Sequence, residues 1–267
     1  MTMISDYHMH TPLCGHAVGE PRAYVEVAIA KGMTEMGFAD HLPLSMYDQP
    51  GYAMRRHEVD GYVDAIQSLA REYAADIRIL LGGEVDFFEE TVEADAALLA
   101  EYPFDYAIGS VHFVGPGFPY DHPDSKDEYA QFGIDEVYIA SFELAAKAAA
   151  TGLFRVIGHL DLAKKHGHRP VDEQRVAAAA AHALRAIATA GSALDLNTAG
   201  WRKPVGEAYP SPGLLAEAAE LGISLTFGSD AHDPLDVGAD FDRASVLARA
   251  CGYQRVLRLS TGAAEEL

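Results

Sequence analysis

Short apolar runs alternate with longer amphipathic ones from one end of this chain to the other, and that alternation is the strongest constraint on its fold. Strands are expected at 3–7, 35–39, 77–84, 106–111, 155–158, 193–196 and 224–228. Between them, 21–31, 56–75, 91–101, 134–151, 172–190, 213–221 and 243–250 carry apolar residues mostly at helical spacing, with Gly or Pro near their ends. Strand and helix in strict succession mean a parallel sheet wrapped by crossover helices, and seven strands suggest a barrel. At 267 residues a single domain, 1–267, accommodates it. A last apolar stretch, 255–259, is expected as an edge strand or as a tail packed over the barrel. The segments 43–55, 115–133 and 200–212 are long, rich in Gly, Pro and Tyr, and follow strand ends; loops of that length in a compact domain are usually functional.

A formal charge of −20 opposes binding to nucleic acid or an anionic membrane through a diffuse surface field. A small phosphorylated substrate stays possible, because clustered divalent cations reverse the potential locally. Cys14 and Cys251 are the only cysteines and give no disulfide framework, which suits a reducing cytoplasm. A candidate ligand by residue 8 leaves no room for a cleavable signal, and no stretch approaches the ~20 apolar residues of a membrane span, so a cytoplasmic protein is expected. Oligomeric state is not legible.

At the expected strand ends stand nine N/O donors: His8, His10, His16, His41, Glu84, His112, His159, Asp230 and His232. His8 and His10, two apart on an extended segment, project from one face and can chelate. Asp230 and His232 repeat that spacing after the seventh strand, and Glu84 has two oxygens with which to bridge ions. A lone histidine at a strand end is more often hydrogen-bonded structure than a ligand; the joint pattern reverses that balance. Imidazole and carboxylate together suit Zn, Fe or Mn. His57, His122, His166, His168 and His182 lack this placement and are expected at the surface, although the loops of His122, His166 and His168 lie on the same face. Cys14 is expected as a packed thiol.

Asp40 and Asp161 neighbour candidate ligands and are expected to orient imidazoles or proton-transfer groups, and Asp86 either does the same or only solvates a strand end. Lys164 after the fifth strand and Arg202 after the sixth project from the donor-bearing face, where they would either meet phosphate or stand as ordinary surface charge. Asp121 and Asp124, in a mouth loop, read more simply as solvated charge than as contacts to a substrate cation.

The segments holding Asp6, His8 and His10; Gly37, Asp40 and His41; Gly83 and Glu84; Gly109 and His112; Gly158, His159 and Asp161; and Gly228, Asp230 and His232 resemble the motifs of the polymerase and histidinol phosphatase (PHP) superfamily over nearly the full chain. The run 11–16 and the loop 197–202 resemble its monofunctional histidinol-phosphate phosphatases. That resemblance implies a distorted, TIM-like (β/α)7 barrel with two or three divalent transition-metal ions at the C-terminal ends of its strands. His8, His10, Glu84 and Asp230 would hold one ion; Glu84, His112 and His159 a second; His16, His41 and His232 a third. It further implies hydrolysis of L-histidinol phosphate to L-histidinol and phosphate, with in-line attack of water, clamping by Arg202 and Lys164, and Asp161 or a metal-bound water as the candidate acid. The competing readings are the same barrel acting on a nucleotide or sugar phosphate or as a 3′–5′ exonuclease, which the acidity opposes, a hydrolase of amide or lactone bonds on a related metal-dependent barrel, and a non-catalytic metal-binding scaffold.

Overall fold

The structure, a computed structural model, describes residues 4–46, 51–115 and 117–267. The first residue of the expected strand 3–7 lies outside the described residues, as do 47–50 of the loop 43–55 and 116 of the loop 115–133.

Six parallel strands form one sheet. In chain order they are β1 (Glu35–Phe38), β2 (Arg78–Asp86), β3 (Tyr106–Ser110), β6 (Val156–Ile157), β7 (Ala193–Asn197) and β8 (Leu225–Gly228); they stand side by side in that order, and β4 (Phe113–Val114) and β5 (Phe118–Pro119) make a separate small hairpin. Nearly every residue of these six strands is buried, because a parallel sheet is covered on both faces. The seventh position belongs to the N-terminal segment, which bridges both edges of the sheet at once: Asp6 pairs with Met36 of β1 and with Phe227 of β8. Tyr7 N donates to Phe227 O at 3.0 Å, Gly37 N to Asp6 O at 2.9 Å and Ala39 N to Met9 O at 2.9 Å. The expected first strand is thus a closing segment held by isolated bridges rather than a regular ladder. Part of its polar capacity goes elsewhere, since the Asp6 carboxylate accepts from Ser229 N at 3.0 Å and Gly238 N at 2.8 Å.

The seven expected helices form close to their predicted bounds as α1 (Pro21–Ala30), α2 (Val59–Glu72), α3 (Val92–Glu101), α5 (Ile134–Ala150), α6 (Glu173–Ala190), α7 (Pro212–Glu220) and α8 (Phe241–Ala250), and a short α4 (Tyr129–Phe132) forms within the loop expected at 115–133. In α2, Val59, Tyr62, Val63, Ile66 and Leu69 recur at helical spacing and are all buried. Each such aliphatic side chain is worth about 1.5–3 kcal/mol of transfer free energy, and a charge at Ile66 would forfeit it. α6 starts where the Asp172 side chain accepts from Arg175 N at 3.1 Å and stops at Gly191, whose φ of 74° is left-handed.

The barrel interior away from the donor-bearing mouth is packed by Tyr7, Ala39, Leu80, Tyr106, Ile108, Val156, Ala193 and Leu259. Tyr106 explains two glycines: a Cβ on Gly37 would stand 2.3 Å from its hydroxyl, and one on Gly82 2.3 Å from its Cζ. The stretch expected at 255–259 is both edge strand and tail. β9 (Arg255–Leu257) pairs antiparallel with β10 (Ala264–Glu266), while Leu259 enters the interior. Glu35 ties this plug down, accepting from Tyr7 Oη at 2.6 Å and from Arg258 Nε at 3.0 Å. Among the described residues no helix is long and apolar enough to cross a membrane.

Candidate metal centre

A parallel barrel sends all its strand C-termini to one mouth, and this topology gathers donors more than two hundred residues apart in sequence. His8 and His10 face inward from the closing segment; Glu84 lies within β2; His41, His112, His159 and Asp230 follow the ends of β1, β3, β6 and β8. Glu84 is the centre. Its Oε2 stands 3.3 Å from His8 Nε2, 3.6 Å from His10 Nε2 and 3.1 Å from His41 Nδ1, while its Oε1 stands 3.0 Å from His159 Nε2 and 3.7 Å from His112 Nε2. Ser110 Oγ also donates to Oε1 at 2.5 Å. Asp230 Oδ1 lies 3.2 Å from His10 Nε2, and His16 Nε2 faces His232 Nε2 at 3.0 Å. The nine donors form one continuous cluster; one close group joins His10, His41 and His232, another His8, His159 and Asp230. The Cys14 sulfur is buried, accepts from Ala17 N at 3.3 Å, and lies beside His16 and His232.

Several imidazoles have the nitrogen turned away from the cluster held by a carboxylate. His8 Nδ1 meets Asp195 Oδ2 at 2.8 Å, His112 Nδ1 meets Asp86 Oδ1 at 2.7 Å, and His10 Nδ1 meets Asp40 Oδ1 at 3.3 Å. An acceptor there puts the proton on Nδ1 and leaves the Nε2 lone pair free. Asp40 and Asp86 thus hold the rings as expected. Asp195 was not anticipated, and neither was Asn197, whose amide donates to Asp195 Oδ2 at 3.0 Å and to Asp230 Oδ2 at 3.1 Å.

Burial and charge pull against each other here. Burial disfavours the Glu84 carboxylate, yet His41 and His8 outweigh it and hold its pKa well below the usual value. Burial also opposes protonation of His10 and His112, but Asp230 and Asp40 lift His10 to about 9, and Asp86 with Asp121 lifts His112 to about 10. His41 and His232 are pushed well down by burial and by neighbouring imidazoles. The donor atoms themselves are not satisfied within the protein: His8 Nε2, His10 Nε2, His41 Nδ1 and Glu84 Oε2 are buried without a hydrogen-bond partner. Each such group costs about 1–3 kcal/mol, and all four point at one another. Lone pairs converging in a buried space fit a cation. Asp230 adds a further sign of a functional constraint, since its φ of 53° puts a non-glycine residue in the left-handed region.

Over this cluster opens a cavity of about 530 Å³, lined among others by Tyr52, Asp121, His122, Lys165, Arg202 and Lys203. Arg202 stands on its wall, donating to Ser229 O at 2.6 Å and lying 3.5 Å from Asp236 Oδ2. Lys164 and Asp161 require correction. The Lys164 ammonium is buried and fully engaged with Asp161 Oδ2, Glu207 Oε2 and Ala208 O, at 2.8, 2.8 and 2.7 Å. Asp161 Oδ2 also accepts from Ser211 N at 2.9 Å, so the buried pair ties the end of β6 to the loop after β7, and neither residue lines the cavity. A phosphate contact for Lys164 and an acid role for Asp161 do not fit those positions. The cavity lysine on that turn is Lys165, one residue later in a 3-10 turn whose phase the sequence does not reveal. Of the set-aside histidines, His57 and His182 are exposed, His168 stacks on Tyr129 with ring centroids 4.4 Å apart, and His122 reaches the cavity wall. Asp124 is solvated, whereas Asp121 is largely buried.

The PHP domain matches residues 6–199. A Deinococcus radiodurans protein named "Probable histidinol-phosphatase" is 42% identical over 96% of both chains. The Bacillus subtilis histidinol-phosphatase is 31% identical over 89% of this chain and 96% of its own. The crystal structure of histidinol phosphate phosphatase from Lactococcus lactis, complexed with zinc, L-histidinol and phosphate, aligns over the full length of both chains with a TM-score of 0.82 and 22% identity, a likeness of fold.

Proposed function

Because the chain belongs to the PHP domain family, we propose that it is a metal-dependent histidinol-phosphatase, hydrolysing L-histidinol phosphate to L-histidinol and phosphate in histidine biosynthesis. The observation that carries this reading is the knot of buried, unpartnered donor atoms around Glu84, opening on a cavity with Arg202 in its wall.

Two or three divalent ions, Zn, Fe or Mn, suit the all-N/O donor set. His8, His10, Glu84 and Asp230 would hold one, Glu84, His112 and His159 another, and His16, His41 and His232 a third. The division of Glu84 contacts, with His8, His10 and His41 about Oε2 and His112 and His159 about Oε1, supports a bridging carboxylate. When bound, such ions supply Lewis acidity to water and to phosphate oxygens. The protein's own part is to hold these donors in place through Asp195, Asp40 and Asp86, and to keep their lone pairs out of bulk water. Arg202, anchored by Ser229 O and Asp236, presents a guanidinium suited to two parallel hydrogen bonds with phosphate. Asp161 and Lys164 keep the loop carrying Tyr209 in register.

Purified protein loaded with Mn, Zn or Fe should release phosphate from L-histidinol phosphate faster than from nucleotides or sugar phosphates, with more than one ion per chain by elemental analysis. A faster nucleotide or sugar ester would replace the substrate assignment. Metal-loaded protein inert toward every phosphate ester would leave only the scaffold reading.

A further inference from the structure

The cavity wall carries a charge pair that hydrolysis as described does not use. The β4–β5 hairpin folds the chain back so that Tyr120 N donates to His112 O at 3.1 Å, which sets Asp121 in the cavity wall beside the donors. Asp121 Oδ1 accepts from Tyr52 Oη at 2.6 Å and Oδ2 from Lys165 Nζ at 2.9 Å. The Asp121 and Lys165 side chains are only 12% and 18% exposed. Lys165 is fixed by its backbone, its N donating to Leu162 O at 2.8 Å and its O accepting from Val205 N at 3.2 Å, so only its side chain is free to move. A lysine ammonium and the ammonium of an amino-alcohol phosphate are the same chemical group.

We propose that Asp121 is the residue that selects a substrate bearing an ammonium, and that Lys165 is the counter-ion this ammonium displaces, the freed lysine turning to the phosphate in the same cavity. This rests on the reading of the substrate as L-histidinol phosphate. The exchange leaves no charge stranded: Asp121 keeps one ammonium throughout, and the released one meets an anion. That matters because a largely buried carboxylate stripped of its partner is costly. An ester without the amine leaves Lys165 on Asp121 and loses its help. Recognition of one end of the substrate thereby strengthens the grip on the other.

The test compares L-histidinol phosphate with its des-amino analogue, 3-(imidazol-4-yl)propyl phosphate, on metal-loaded enzyme. Asp121→Asn should lower kcat/KM for the amine substrate by about 10-fold or more, the worth of a charge-assisted hydrogen bond, yet raise it for the analogue by releasing Lys165. The double variant Asp121→Asn with Lys165→Met should lose that rise. Equal losses on both substrates, at unchanged metal content, overturn the assignment of Asp121. A rise that survives Lys165→Met overturns the exchange. Wild-type enzyme that turns over neither substrate removes the functional reading itself and this inference with it; a wild-type preference for the amine that Asp121→Asn leaves intact removes this inference alone.

Discussion

Asp195 offers a perturbation whose size follows from the structure. Its Oδ2 accepts from His8 Nδ1 at 2.8 Å and from Asn197 Nδ2 at 3.0 Å, and the residue is 1% exposed, so neither donor has water as a substitute. Asp195→Ala leaves a buried N–H without an acceptor and lets the proton move to Nε2, the nitrogen that faces Glu84. A hydrogen bond to a charged group is worth about 1.5–3 kcal/mol, or roughly 10- to 150-fold in an equilibrium constant. Metal affinity should fall by that factor, in line with the ~10–100-fold typical of residues that orient metal-bound histidines. Asp195→Asn, with its amide oxygen in the Oδ2 position, keeps both contacts and loses only the charge, so it should sit at the lower end. The assay is metal retained per chain after dialysis against graded chelator, read beside thermal unfolding of the metal-free protein. Loss of metal with intact unfolding supports the role. If Asp195→Ala keeps wild-type metal affinity, the reasoning about proton placement fails.

Glu84→Gln keeps the shape but removes the charge offsetting two cations; it should lose metal occupancy and nearly all phosphate release, and full occupancy with normal turnover would contradict the bridge. Arg202→Ala should leave metal content unchanged while lowering kcat/KM for histidinol phosphate at least ~10-fold, with Arg202→Lys recovering part; a normal kcat/KM returns Arg202 to the cavity rim. His10 and His112, with pKa values lifted to about 9 and about 10 in the metal-free protein, must shed protons to act as ligands. Calorimetry at pH 7.5 in buffers of different ionisation enthalpy should therefore detect proton release on metal binding. The same raised values mean that their stabilisation of the metal-free fold is full below about pH 6.5 and is lost as pH rises through 9–10, so its melting temperature should drop across that window.

The barrel was legible because short apolar stretches mark the strands of the sheet and alternate with amphipathic helices, and the donors were legible because topology sends every strand end to the same mouth. What escaped was register within turns and inward-facing polarity. Lys164 and Lys165 are adjacent in a 3-10 turn, and composition does not say which of two lysines is swallowed by Asp161 and Glu207. Asp195 had a readable signal: flanked by Leu194 and Leu196, it alternates with Asn197, so both face one side of a fully buried strand. A carboxylate in that position needs a partner. The β4–β5 hairpin, which begins two residues before the loop expected at 115–133, escaped because two-residue strands carry too little pattern to register.

The closing segment has a consequence for how such a molecule comes into being. His8 and His10 are made ahead of the sheet they close, and their neighbours across the gap, Phe227, Ala231 and Asp230, come more than two hundred residues later. Contacts of such long separation form late, after the loop-closure entropy has been met. Until β8 arrives, the earliest histidines wait without walls on one side. A nascent or truncated chain can present isolated imidazoles but not the finished cage, so tight ion capture becomes a mark of a completed barrel, and metal retention should report full-length folding as faithfully as catalysis does.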